Sequence, residues 1–409
     1  MVPARLGLME HSVCNKVAVV SEALPPLGAG QGVFIYRMFE DIAPVRYCLL
    51  STLSYEAGPA PSDYVKRLPA NYYHLYQGRR LRRGTRFGLR RLRDHLNFWL
   101  SIADRARQIT RIIRREGCDE VLAFTGDATH LPAAFLASWY TGSRFVAYVV
   151  DHYAYREWEF PVPAFWAPLL EGFLMKGAQR VIVLNEALRD DLHQRFGVDA
   201  GVIYNAFELS SYESPPKISP SIGKLISIVF TGNVYAAHYD AVRNLLAAIT
   251  ALNRNDINLH LYTPQPEWEL KLNGIEGPVI RHDPLTLAEM PRVQMEADIL
   301  FLPLAFESPY PGVIRTSAPV KMGEYLAARK PVLVHAPHDA FISRYFRQHD
   351  CGVVIDENDS ELLAEGIRRI LDDHNLRERV VTNAWGRAQV DFDIRKARVA
   401  FKQMLNLDQ

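Results

Sequence analysis

Cysteine is scarce in this chain of 409 residues. Cys14, Cys48, Cys118 and Cys351 are far apart and never form Cys-x-x-Cys. That spacing argues against a disulfide framework or a structural zinc site and fits a reducing, cytoplasmic setting. Long hydrophobic runs are missing too. No stretch of about 18 apolar residues occurs, so no membrane-spanning helix is expected. Met1 to Lys16 contains no long apolar core, so no signal peptide is expected. An excess of one charge is also absent. The chain carries 47 Lys and Arg against 46 Asp and Glu, a net charge of +1, which removes the global signature of a nucleic-acid-binding protein. No tandem repeat is visible, although the two halves share a strand-helix rhythm. Composition is that of a globular chain, 48% hydrophobic and 23% charged, and the length predicts two domains.

What the chain does have is a dense stretch from Phe301 to Ala336, FLPLAFESPYPGVIRTSAPVKMGEYLAARKPVLVHA. Ala297 to Leu304 is a short apolar run of the kind that makes a buried strand. Pro309, Pro311 and Gly312 then break regular structure. Ser317 stands where an N-cap belongs and Pro319 falls in the first turn, predicting a helix that runs to Arg329. Pro331 stops it, and Val332 begins another strand. In an open α/β sheet, ligands bind beyond the carboxyl ends of the strands. The loop with Glu307 and Arg315 belongs there, as does the helix start, whose free N–H groups favour an anion. Lys321 and Glu324 share one helix face. A cation there can meet a diphosphate, and a carboxylate one turn deeper can accept hydrogen bonds from two sugar hydroxyls. A nucleotide-sugar carries both groups; a surface ion pair would show the same spacing.

The same rhythm runs through the rest of the chain. Lys16 to Ser21 reads as a first buried strand, followed by a loop with Gly28, Gly30 and Gly32 that allows close backbone approach to a ligand. It is not GxGxxG, so a dinucleotide fingerprint is absent. Val45–Ser51, Asp119–Phe124, Arg144–Val150 and Arg180–Leu184 read as further strands, and 57–77 as irregular. Asp127 and His130 follow one strand, and Asp151 and His152 end another, where α/β enzymes keep their chemistry. Asn185 caps a helix that ends at Gly197. Residues 210–222, rich in Pro and Ser, form the linker between a first domain, 1–209, and a second, 223–385, with a final helix in 386–409. In the second domain, Thr231-Gly232-Asn233 again joins a strand to a helix. From Arg79 to Arg93, arginines interleave with Leu81, Phe87, Leu89 and Leu92. Three readings stand beside one another: a solvated helix with an apolar seam, a basic surface meeting anionic lipid headgroups, and a nucleic-acid patch, which no recognition module accompanies.

The run from Lys321 to Val332, KMGEYLAARKPV, resembles the K-x-x-E-Y-L-A-x-x-K-P-V run of glycosyltransferases with the two-Rossmann (GT-B) architecture, group one or family four type. Asn205-Ala206, after Ile203, is similar to the family's I-x-N-G segment. The resemblance implies an α/β fold of two Rossmann-like domains facing a central cleft, with the final helix, 386–409, crossing back to the first domain. It implies transfer of a sugar from a nucleoside-diphosphate sugar to an acceptor hydroxyl, with retention and without a metal or other cofactor. Glu324 would hold the ribose, Lys321 and Arg315 the diphosphate, and Gly30, Gly232 and Asn233 would lie near the phosphates. The family often has a further Glu that contacts the donor sugar; here that position is Thr316, and Glu307 is the nearest acidic residue. Asp127, His130, Asp151 and His152 become acceptor-side candidates. The acceptor would be a carbohydrate or a lipid-linked sugar, the setting polysaccharide or glycolipid biosynthesis, and the place the cytoplasm or the inner face of a membrane, with no nucleic-acid partner. Two alternatives keep the fold: a nucleotide-sugar epimerase, and a non-catalytic sugar-nucleotide-binding or scaffold protein.

Overall fold

The computed structural model describes residues 15–28, 30–55, 65–76, 78, 80–81, 89–154, 161–214, 225–286 and 288–407. Most of the expected linker (215–224) and Arg79, Arg82, Arg83 and Arg86 of the basic segment lie outside the described residues.

Short apolar runs build two parallel sheets. The first contains β1 Val17–Val20, β2 Tyr47–Ser51, β3 Asn71–His74, β4 Glu120–Phe124, β5 Arg144–Val149, β6 Arg180–Val183 and β7 Ala200–Val202, ordered β3-β2-β1-β4-β5-β6-β7. The second contains β8 Ile226–Thr231, β9 Ile257–Tyr262, β10 Val279–His282, β11 Ile299–Pro303, β12 Val332–His335 and β13 Val353–Ile355, ordered β10-β9-β8-β11-β12-β13. Central strands such as β1, β4 and β11 are buried along their whole length, as expected for strands covered by helices on both faces. Helices α1 Gly30–Phe39, α2 Leu89–Glu116, α3 His130–Thr141, α4 Pro161–Gly177 and α5 Glu186–Phe196 cover the first sheet. The second is covered by α6 Tyr239–Ala251, α7 Glu267–Leu272, α8 Met290–Glu296, α9 Pro311–Thr316, α10 Lys321–Ala327, α11 Phe341–Gln348, α12 Ser360–Asp372 and α13 His374–Asp391. The last helix, α14 Ile394–Met404, returns to the first sheet. Phe401 of α14 packs at 6.1 Å from Phe34 and 5.3 Å from Phe39, ring centre to ring centre.

Strand order reverses between β1 and β4 and between β8 and β11. Crevices for ligands open at such points, so the loops after these four strands are the ones to inspect. Several local expectations hold. Asn185 caps α5 by accepting from the Leu188 N–H, and Gly197 closes it in the left-handed region. The basic segment belongs in part to α2, which is helical, as the first reading of it has it, and runs on for 28 residues. Two do not hold. Asn71–His74 lies in the stretch read as irregular, yet pairs in parallel with β2. The helix expected from Ser317 begins at Lys321 instead, with Val320 before it making no side-chain cap. Ser317 is extended and ends α9; Pro319 disfavours helical conformation at Ala318 before it, which delays the next helix.

Candidate functional site

In the second domain the site starts where β8 ends. Gly232 has φ +110°, and a Cβ there would lie 3.4 Å from the Lys321 ammonium. A side chain would therefore compete for the space that Lys321 occupies. The Gly232 N–H is taken up by the Tyr262 carbonyl at 2.8 Å; Asn233 beside it is exposed. Lys321 stands 3.5 Å above the centre of the Phe230 ring, which attracts a cation. Burial lowers its pKa to about 7, against the pull of Glu324. His238 is buried next to it and is held well below its ordinary pKa, first by burial and then by Lys321. Tyr325 pins α10 to this strand end, its hydroxyl accepting the Thr231 N–H at 2.9 Å.

Glu324 lies one turn beyond Lys321 and is 7% exposed. One carboxylate oxygen meets the Arg37 guanidinium of α1 at 3.4 Å, and the other meets the Gln294 amide of α8 at 3.4 Å. Gln294 is itself fixed by the Tyr212 hydroxyl at 2.6 Å. These contacts to Glu324 are long for charged hydrogen bonds, and they leave a carboxylate from the second domain facing a cation from the first. Arg315 lies elsewhere on the rim and pairs with Asp191 of α5 at 2.8 Å. Thr316 is buried; its hydroxyl donates to the Gly312 carbonyl at 3.1 Å, and its own carbonyl accepts from Asn185 at 2.9 Å. Glu307 has an exposed side chain, while its N–H and that of Phe306 are held by the Asp240 carboxylate, each at 2.8 Å.

Across the cleft, Gly30 opens α1, and a Cβ there would lie 3.9 Å from Val320. Gly32 is tighter: a Cβ would fall 2.2 Å from the Leu27 carbonyl oxygen, so only glycine fits. Asp127 accepts from the N–H and the hydroxyl of Thr129, both at 2.7 Å, and pairs closely with Arg105. Burial pushes this carboxyl up, but His130, Arg105 and Thr129 together hold it well below its usual range. His130 is fully buried, neither ring nitrogen has a partner among the described residues, and burial lowers its pKa to about 4. It is therefore neutral at pH 7. Asp151 is exposed, and its charge contributes to a raised pKa at Tyr235 of the second domain, after burial. His152 is buried in a separate network, with Asp191 at 3.6 Å and Glu171 at 3.9 Å. Burial lowers its pKa despite both carboxylates.

The structure thus gathers Gly232, Lys321 and Glu324 at one point, with Gly30 opposite. It puts Asp127 and His130 in a second cluster and ties His152 to Arg315 through Asp191. Thr316 and Glu307 stand apart from one another. Sequence reasoning misses Arg37, Gln294, Arg105 and Asp191. Arg37 alone had a signal, its place on the helix that opens from the glycine-rich loop. An Asp-x-Asp run does occur, Asp391-Phe392-Asp393, and both acids have structural occupations: Asp391 binds Tyr345 at 2.5 Å, and Asp393 caps α14. Among the described residues no group of three or more His, Cys, Asp or Glu is placed to hold a metal ion, and no helix is long and apolar enough to cross a membrane.

Two family models match the sequence. "Glycosyl transferases group 1" matches residues 226–373, and "Glycosyltransferase Family 4" matches residues 52–211. No curated protein matches it in sequence. Among solved structures, the sucrose-phosphate synthase of Thermosynechococcus elongatus superposes with a TM-score of 0.68 at 13% identity, over 96% of this chain and 98% of its own. HepE of Anabaena, solved in complex with UDP, gives 0.66 at 14% identity over 96% and 99%. A structure described as a UDP-N-acetylglucosamine 2-epimerase of Listeria monocytogenes gives 0.57 at 13% identity over 96% and 97%.

Proposed function

We propose that this chain, which belongs to the group 1, family four type glycosyltransferases with the GT-B fold, transfers a sugar from a nucleoside-diphosphate sugar to an acceptor hydroxyl with retention. One observation carries the donor reading. Glu324 is buried at the switch point of the second sheet, its carboxylate oxygens lie 3.4 Å from their partners, and Lys321 sits one turn earlier on the same face. A ribose diol would bond to Glu324 in the gap these long contacts leave. The diphosphate would meet Lys321 beneath Gly232, where the absent side chain leaves a path. Arg315 would join it by sharing or leaving Asp191. Positive charge placed where negative charge develops on the leaving diphosphate lowers the barrier without reorganisation. Neutral His130 and exposed Asp151 line the acceptor side, and enclosure between the domains would keep water from the donor. Asp127, locked by Arg105 and Thr129, would shape that side without exchanging a proton. A nucleoside-diphosphate sugar is then a substrate, and no cofactor is required.

A thermal-shift series with UDP, GDP, ADP, CMP and dTDP, each with magnesium and with chelator, tests the donor reading. A ligand bound only by the folded state adds about 2.7 kcal/mol of stability at a hundredfold excess over its dissociation constant. One nucleoside diphosphate should raise the melting temperature regardless of magnesium. No shift from any of them in a folded sample overturns the reading. Incubating the matching nucleotide-sugar without acceptor and finding epimerised donor would favour the epimerase instead.

A further inference from the structure

We propose that the exposed face of α2, together with α4, docks this protein on an anionic lipid surface. This inference goes beyond the transfer reading and does not rest on it.

The face is continuous. Leu89, Leu92, Leu96 and Leu100 on the first half of α2 are each between 42% and 58% exposed. Their spacing of three and four residues puts them on one side of the helix. Carried onward, the same side presents Arg107, Arg111 and Arg114. None of these three makes an ion pair or a side-chain hydrogen bond among the described residues. They line a cleft of about 440 Å³ between α2 and α3, floored by Ala103, Ala106 and Leu136 and flanked by Tyr140. An unpaired guanidinium trio over an apolar floor suits a phosphate headgroup.

The apolar half does not end with α2. On α4, Phe165, Leu169 and Phe173 follow at steps of four and are each about 60% exposed. Trp166 locks α4 to α2, donating to His95 at 2.9 Å and packing 5.0 Å from Trp99. Two helices therefore present a joint apolar surface, with Arg90 and Arg91 exposed beside it. Exposed apolar surface on this scale, rimmed by charge, marks an interaction site. The charge left over is mostly positive. Asp94 is paired with Arg93, Glu116 binds Lys16, and Glu171 is buried against Arg195, while Asp104, bonded to the neutral Gln108 amide, keeps its charge. A protein partner of ordinary composition needs no such bias. An anionic bilayer supplies both an apolar interior and a sheet of phosphates. Placement agrees. The end of α2 feeds the start of β4, so α2 runs antiparallel to the strands. Its leucines therefore lie level with the strand ends where the cleft opens, and α4 begins there as well. A lipid-linked acceptor lying in the same surface would enter the cleft without leaving it.

The test is sedimentation of the full chain with phosphatidylcholine vesicles, with and without phosphatidylglycerol. Wild type should pellet with the anionic vesicles, less so as salt rises, and remain in solution with neutral ones. Combined Arg107→Glu, Arg111→Glu and Arg114→Glu should weaken binding at least about tenfold, and so should combined Leu92→Ser, Leu96→Ser and Leu169→Ser. Arg368→Glu, exposed on α12 of the second domain, should change nothing. Melting curves confirm that each variant folds; the wild-type preference for anionic vesicles needs no variant. Equal binding to neutral and anionic vesicles overturns the proposal, as does an undiminished arginine variant or leucine variant. Tighter binding to an RNA oligomer than to the vesicles, in one buffer, also overturns it.

Discussion

Lys321 and Glu324 give the proposed donor site its chemistry, and each supports a separate measurement. Glu324→Gln keeps the shape but turns one of the two accepting oxygens into an NH2 donor, so it removes the charge that holds a diol and gives up one of the long contacts to Arg37 and Gln294. Charged hydrogen bonds contribute roughly 1.5–3 kcal/mol, so nucleoside-diphosphate affinity should fall about tenfold to a hundredfold in titration calorimetry, with little change in melting temperature. Lys321 predicts a pH dependence. Its pKa in the empty protein is lowered to about 7 by burial. A diphosphate against the ammonium favours the charged form and raises that pKa, so binding takes up a proton. Affinity should be greatest below pH 7 and decline as pH rises through it, by up to about tenfold per unit until the pKa of the complex is reached. Calorimetry between about pH 6 and 9 checks this; a flat profile would mean that Lys321 does not meet the phosphates.

At the scale of elements, the two domains meet through residues that also organise their own helices. Asn185 caps α5 and at the same time donates to the Thr316 carbonyl in α9. Asn185→Ala removes a cap contributing about 1 kcal/mol and leaves a buried carbonyl without its donor, a further loss of about 1 kcal/mol or more. A loss near 2 kcal/mol in urea unfolding is expected, together with weaker donor binding if α9 shifts. Elements with strong local signals are the ones the sequence makes legible: capped α5 and the apolar runs of β1 and β11. β3, Asn71–His74, is partly exposed along its length, so it carries no apolar run. The first half of α2 exposes its leucines, which blurs its pattern against a single apolar stripe.

For the whole molecule, α14 binds the two sheets into one unit. Arg398 donates to the Arg37 carbonyl at 2.7 Å, Lys402 meets Asp41 at 2.7 Å, and Phe401 fills the first core. Phe401→Ala should cost about 3–5 kcal/mol in the unfolding of the first sheet, although the residue belongs to the last helix. A smaller loss than about 1 kcal/mol would show that the helix rides on the surface. Because the Arg398 bond reaches Arg37, which faces Glu324, loosening α14 should also weaken nucleotide binding.

The sequence by itself determines the periodic features: which runs are buried strands, where helices are capped, that Lys321 and Glu324 share a face, and the family that this pattern resembles. These depend on neighbours within a few positions, where side-chain spacing sets geometry. Other features exist only once the chain has closed on itself. Glu324 meets Arg37 across 287 residues. Asp127 finds Arg105 on α2, Gly232 spends its N–H on Tyr262, and Arg315 reaches Asp191 in the other domain. No spacing rule relates such pairs. Their meeting is set by the parallel order of the two sheets and the return of α14, and it decides which of the polar residues at the strand ends stay available to a substrate.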